Sequence, residues 1–150
     1  MITRNWIRWI QNLWDRLRQK RSLPEAEWIG RKGESAAVSW LRKQGYRILV
    51  RNYRAGKGEI DLVACKGGLL VFVEVKTRAF GQWTRPAQAV DPNKRRILSR
   101  TALQYLREIG NPQVSFRFDV IEVIHDQGRI CQIRQIENAF PLVLPLRYGA

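Results

Sequence analysis

Three side chains near the middle of this chain have the types and spacing for phosphodiester chemistry. Asp61 ends the run Gly58-Glu59-Ile60-Asp61, while Glu74 and Lys76 stand two apart in the apolar stretch Val71–Arg78. Two carboxylates can share a divalent cation, and an ammonium beside them can orient water or stabilise charge developing on phosphorus. Whether the groups meet is a question of register. Gly67-Gly68 between two β-rich runs reads as a two-residue hairpin loop, which pairs Lys66 with Leu69, Asp61 with Glu74 and Glu59 with Lys76. Directly opposed residues have Cβ atoms about 4.5–5.5 Å apart. A slip of one residue would set Asp61 against Val75 and separate the carboxylates.

An Asp facing a Glu on a buried strand needs compensation, and a bound cation supplies it. The plainer reading is a surface salt bridge from Lys76 to Glu59 with both acids solvated. Val71, Phe72, Val73 and Val75 argue against it, because unpaired carboxylates are costly on so apolar a strand. Glu34 is a third acid, on the stripe it shares with Val38 and Leu41 of a helix read from about Lys32 to Gln44 and stopped by Gly45. It is either a group interacting with the helix dipole or one directed at the site, and the strand motif favours the second.

The elements that must position these groups follow from periodicity. Strands are read at 46–53, 59–66 and 69–78. Asp91-Pro92 then caps a helix in which Ile97, Leu98, Ala102, Tyr105 and Leu106 recur until Gly110. Two further strands, 114–124 and 129–136, flank a turn at Asp126-Gln127-Gly128. A helix between the third and fourth strands implies a crossover. The expected class is α/β, with one central mixed sheet (a three-strand antiparallel meander plus a crossover strand) flanked by helices.

Met1–Arg21 carries Trp6, Trp9, Ile10, Leu13 and Leu17 at helical spacing among arginines, and Ser22-Leu23-Pro24 breaks the pattern. The division expected is a basic amphipathic helix and linker over 1–29 and a single domain over 30–150. Three roles stay open for the helix: packing on its own domain, contact with a protein partner, and contact with a membrane surface.

In 150 residues, 27 Lys+Arg against 13 Asp+Glu leave a net charge of +14, which points to a polyanionic partner. The 2 cysteines, Cys65 and Cys131, form no CxxC pair and lie near no histidine, which excludes a zinc site and argues for reduced thiols. No apolar run reaches the roughly 20 residues that span a bilayer, so a cytoplasmic location is expected.

The acid-bearing helix, GEIDLV at 58–63, VFVEVKTR at 71–78 and RFDVIEV at 117–123 together resemble the PD-(D/E)XK nuclease superfamily. More closely, with GRKGE at 30–34, they are similar to its YraN-type family and to archaeal Holliday-junction resolvases. The resemblance covers about Gly30 to Ile136 and implies a restriction-endonuclease-like fold. It also implies a Mg2+ (or Mn2+) ion held by Asp61, Glu74 and the Val75 carbonyl, hydrolysis assisted by Lys76, and a contribution from Glu34. Ile60 stands where the superfamily's name has proline, and Met1–Arg21 precedes the usual family start.

Arg78, Lys94, Arg95, Arg96 and Arg100 are the candidate nucleic-acid contacts, the last four in a stretch of helix with no acid before Glu108; Arg85 is weaker. Trp83 either stacks on a base or packs over the sheet. His125 and Asp119 read as structural, Asp119 supporting a basic neighbour. The leading expectation is a metal-dependent endonuclease acting on DNA, including branched or single-stranded forms, with RNA as the alternative substrate. The runner-up is a non-catalytic nucleic-acid-binding protein with the same fold, and the third class is a peripheral membrane adaptor. A homodimer is attractive by analogy with resolvases, which make two symmetric cuts.

Overall fold

Gly67 and Gly68 both take positive φ, 55° and 77°, as a two-residue turn matched to the twist of its flanking strands requires. They join β2 (Gly58–Lys66) to β3 (Leu69–Ala79), and β1 (Arg47–Ala55) lies antiparallel on the other side of β2. The chain then crosses over through a helix to β4 (Ser115–Asp126), parallel to β3, and returns antiparallel as β5 (Arg129–Phe140). The result is one five-stranded mixed sheet in the order β1-β2-β3-β4-β5, the expected α/β architecture. The computed structural model describes residues 24–82 and 90–144, so the expected N-terminal helix, Trp83 and Arg85 lie outside the described residues.

Helix α1 (Glu25–Lys43) begins well before Lys32 and crosses the 29/30 boundary without a break. Two internal glycines, Gly30 and Gly33, weaken its sequence signature. Tertiary contacts outweigh that weakness. Lys32 Nζ donates to the Gly128 carbonyl at 2.5 Å and lies over the Trp28 ring, pinning the early turns to the β4–β5 turn. Gly33 meets β3 so closely that a Cβ there would lie 1.9 Å from Thr77 Oγ1. Glu25 and Glu27 in the first turn and Arg42 and Lys43 in the last suit the helix dipole.

Helix α2 (Pro92–Glu108) is capped by Asp91, whose side chain accepts from the Lys94 N–H at 3.0 Å. It approaches β2 through another bare glycine, since a Cβ on Gly58 would lie 1.9 Å from Thr101 Oγ1. The two helices cover opposite faces of the sheet. On the α2 side Phe72, Tyr105, Phe118 and Phe140 pack with Ile60 and Val63; on the α1 side Val38 and Leu41 pack with Leu62, Val71, Val73 and Ile121. Among the described residues no helix is long and apolar enough to cross a membrane.

Candidate metal centre and its surroundings

The β2–β3 register is the one that Gly67-Gly68 dictates: Lys66 pairs with Leu69, and the ladder continues to Leu62 and Val73. There it stops, one step short of Asp61 and Glu74. Beyond that point β3 pairs only with β4, and β2 only with β1. The strands part where the two carboxylates stand. Asp61 spans the opening with its side chain, Oδ2 accepting from the Val75 N–H at 2.7 Å.

A second irregularity coincides with the first. Arg51 pairs with Leu62 and Tyr53 with Ile60, while Asn52 between them adopts φ 52°. Ile60 and Val63 consequently face the same core cluster, although they are three residues apart. Simple alternation of Glu59, Asp61 and Val63 on one face is therefore broken at Asp61. This corrects the expected Glu59–Lys76 pair: Glu59 instead meets Arg54 at 3.0 Å on the β1–β2 hairpin.

Glu74 is 5% exposed and Oε1 faces two ammonium groups, Lys76 at 3.2 Å and Lys94 at 3.4 Å. Its other oxygen, Oε2, is buried and has no hydrogen-bond partner among the described residues. Burial, first, and then the Glu74 carboxylate push the Asp61 carboxyl up from 3.8 to about 7. The Val75 N–H and Lys94 pull the other way, and Glu34 adds to the rise. Glu34 reaches this field from α1, where the neighbouring Gly33 contact with Thr77 fixes the helix against β3. The structure thus gathers Asp61, Glu74 and Lys76 at one notch, with Glu34 within electrostatic range. Among the described residues no group of three or more His, Cys, Asp or Glu is arranged to hold a metal ion.

Lys94 was expected to contact phosphate; it lies at the carboxylate pair itself. The Asp91 cap explains why, because it starts α2 beside the end of the β2–β3 ladder and turns the helix's first charged residue inward. Arg95 donates Nε to the Val90 carbonyl and lies over the Phe140 ring. Arg96 and Arg100 are exposed on α2. Arg78 stands on β3 with a buried Nε that lacks a hydrogen-bond partner among the described residues.

Asp119, fully buried, accepts from Arg117 Nε and Nη2, from Gln135 Nε2 and from the Asn138 N–H, which bears out its structural reading with a basic neighbour. His125 accepts from the Gly128 N–H within its turn, and Cys65 and Cys131 are free thiols. Sequence reasoning passed over Glu122, which is also fully buried and pairs with Arg134 on β5. An acid inside the apolar run Val120–Ile124 was the available signal.

The family model described as Uncharacterised protein family UPF0102 matches residues 33–123, a span that contains all four gathered groups. A UPF0102 protein of Symbiobacterium thermophilum is 46% identical over 112 residues, covering 75% of this chain and 95% of the relative. Similar proteins occur in Chlorobaculum parvum, 47% identical with 74% and 86% coverage, and in Geobacter metallireducens, 46% identical with 76% and 93% coverage. With a match this broad, on a sheet and notch of the kind the sequence motifs implied, the chain belongs to the UPF0102, or YraN-type, family of PD-(D/E)XK-like nuclease proteins.

Proposed function

We propose that this protein is a metal-dependent endonuclease that hydrolyses phosphodiester bonds in DNA, branched or single-stranded forms included. The observation that carries the reading is Glu74: a buried carboxylate with one orphaned oxygen, beside Asp61, where the strands part. A buried acceptor without a partner costs roughly 1–3 kcal/mol, which a ligand at that oxygen would recover. Magnesium fits a two-carboxylate site better than calcium does, because it keeps several waters and is commonly held by one or two carboxylates together with substrate phosphates. Asp61 and Glu74 would hold the ion, and the Val75 carbonyl is the further ligand that family resemblance implies.

When bound, Mg2+ or Mn2+ supplies Lewis acidity and a more acidic water. Lys76 and Lys94 place two ammonium groups at the Glu74 carboxylate, where they neutralise charge and can meet the non-bridging oxygens of a phosphate. Glu34 lies on α1 within electrostatic range of Asp61 and is suited to hold a water. The net charge of +14 draws a polyanion toward this surface.

One observation favours a second reading, a nucleic-acid-binding protein without turnover: the two lysines already compensate Glu74 without a metal. The deciding experiment incubates the full chain with flapped, branched, single-stranded and duplex DNA in Mg2+ or Mn2+, beside Lys76→Ala, with parallel calorimetric titration of the metal. Cleavage that requires the ion and is lost in Lys76→Ala supports the nuclease. Salt-sensitive binding with neither metal uptake nor cleavage overturns it in favour of the binding module.

A further inference from the structure

Gly58 meets α2 at Thr101, and beside that contact the tip of the β1–β2 hairpin, Ala55–Lys57, stands off the helix to leave a cleft of about 650 Å³. Its opposite wall is one face of α2, on which Ile97, Thr101 and Gln104 follow one another by helical turns. Ile97, Leu103 and Ala55 contribute apolar surface, and three cations, Lys57, Arg100 and Arg107, stand around it against the single acid Glu108. Gly56, at the hairpin turn, has positive φ and open space where a side chain would project, so the entrance is clear on that side.

We infer that this cleft is a subsite for one unpaired nucleotide of a nucleic-acid strand, its base on the apolar wall and its phosphate among Lys57, Arg100 and Arg107. Three features choose this occupant. The volume lies within the range of small-ligand pockets, about 300–1,000 Å³, and is a concavity that the flat stack of a duplex cannot enter, whereas a splayed base can. The surplus of cations matches a phosphate, while the apolar surface matches the face of a base. The wall is also continuous with the candidate centre. Lys94, at Glu74, begins the same helix, and Arg100 and Gln104 follow about 9 and 15 Å further along the axis at 1.5 Å per residue. A strand whose phosphate lies at Lys94 would place a nucleotide from one of its next few positions in the cleft.

The inference rests on the proposed nucleic-acid substrate, and its test uses binding rather than cleavage so that the two can fail separately. Fluorescence anisotropy of a labelled dodecathymidylate and of a blunt duplex of equal length is measured with the metal-free full chain in chelator at fixed salt. Lys57→Glu with Arg107→Glu reverses the charge of the cleft; Gln104→Trp fills it without changing charge. Lys43→Glu with Arg129→Glu, exposed and outside the cleft, is the charge-matched control, and circular dichroism checks each fold. Expected is a loss of tenfold or more in single-strand affinity for both cleft variants, with duplex affinity in Gln104→Trp within twofold of the parent. Equal losses on both ligands, or a loss in the control as large as in the cleft pair, would show general electrostatics and overturn the subsite. Single-strand affinity unchanged in Gln104→Trp overturns it as well, even if the protein cleaves DNA. No binding of either ligand by the parent protein removes the nucleic-acid reading itself, and the subsite with it.

Discussion

Asp61 gives the Val75 N–H a carboxylate oxygen in a place where β2 backbone no longer pairs with β3. One hydrogen bond thus does two things. It satisfies a backbone donor exposed by the parting of two strands, and it fixes the orientation of the acid. The site is built from the same irregularity that interrupts the sheet.

Removing that acceptor separates structure from chemistry. Both Asp61→Ala and Asp61→Asn remove the charge, but only Asp61→Ala leaves the Val75 N–H unpaired in a half-buried position, so it should be about 1–3 kcal/mol less stable than Asp61→Asn. Both should abolish metal uptake. Urea unfolding of both variants in chelator, with m unchanged, measures the difference; equal destabilisation would deny the side chain its structural part.

The raised Asp61 carboxyl makes stability depend on pH in a definite direction. Its ordinary value is 3.8 and its folded value about 7, so between these limits the folded state holds the proton more tightly than the unfolded chain. The contribution is fully present below pH 3.8 and is lost as pH rises through about 7. At about 1.36 kcal/mol per unit the full effect is at most a few kcal/mol. Metal-free protein should therefore have a higher urea midpoint at pH 5 than at pH 8, and Asp61→Asn should flatten that slope.

Metal binding should appear as stability as well as activity. A ligand that binds only the folded state, present at 100 times its dissociation constant, adds about 2.7 kcal/mol. Mn2+ should raise the melting temperature of the parent protein. In Glu74→Gln, which keeps the shape but removes the charge, the shift should vanish, and calorimetry should show no uptake. A shift of undiminished size in that variant would place the ion elsewhere.

Much of this arrangement was legible in the residues, and what was not has identifiable causes. Gly67-Gly68 fixed a register that the ladder follows from Lys66 to Leu62, and Asp91-Pro92 marked the start of α2. Register alone extrapolated the pairing through Glu59 and Lys76. It could not reveal that Asn52 would adopt positive φ and that the strands would part, because past Leu62 and Val73 β2 pairs only with β1 and β3 only with β4, partners that a hairpin rule does not consider. The early start of α1 was hidden for a similar reason: Gly30 and Gly33 weaken the helical signal, and the compensation comes from Thr77 and Gly128, distant in sequence. Lys94 read as one cation in a basic run, and only the placement of α2 turned it toward Glu74.

The close approach of α1 to β3 ties helix position to the site. Adding a methyl group at Gly33 puts Cβ 1.9 Å from Thr77 Oγ1, so either the side chain turns away or the helix retreats. Overpacking of this kind typically costs 1–3 kcal/mol, or about that range here. Gly33→Ala should lower the urea midpoint and shift Glu34 away from Asp61, and Thr77→Ala in the same chain should restore part of the loss. A double-mutant cycle measures the coupling; simple additivity would mean that the contact does not constrain the helix.

Asp119 provides the contrasting case of a buried acid that is fully occupied. It collects two hydrogen bonds from Arg117, one from Gln135 and one from the Asn138 N–H, at 2.8–3.1 Å, and so ties β4 to the far part of β5. Removing one partner of a buried ion pair strands the other and costs about 3–5 kcal/mol. Asp119→Ala should therefore destabilise the protein more than Glu74→Ala does, although both delete a buried carboxylate. Glu74 has an oxygen without a partner, and its two lysines, each about a third exposed, can turn to water once it is gone. Parallel urea unfolding in chelator compares the two, and a larger loss at Glu74 would mean that the notch, rather than the Asp119 network, holds the sheet together.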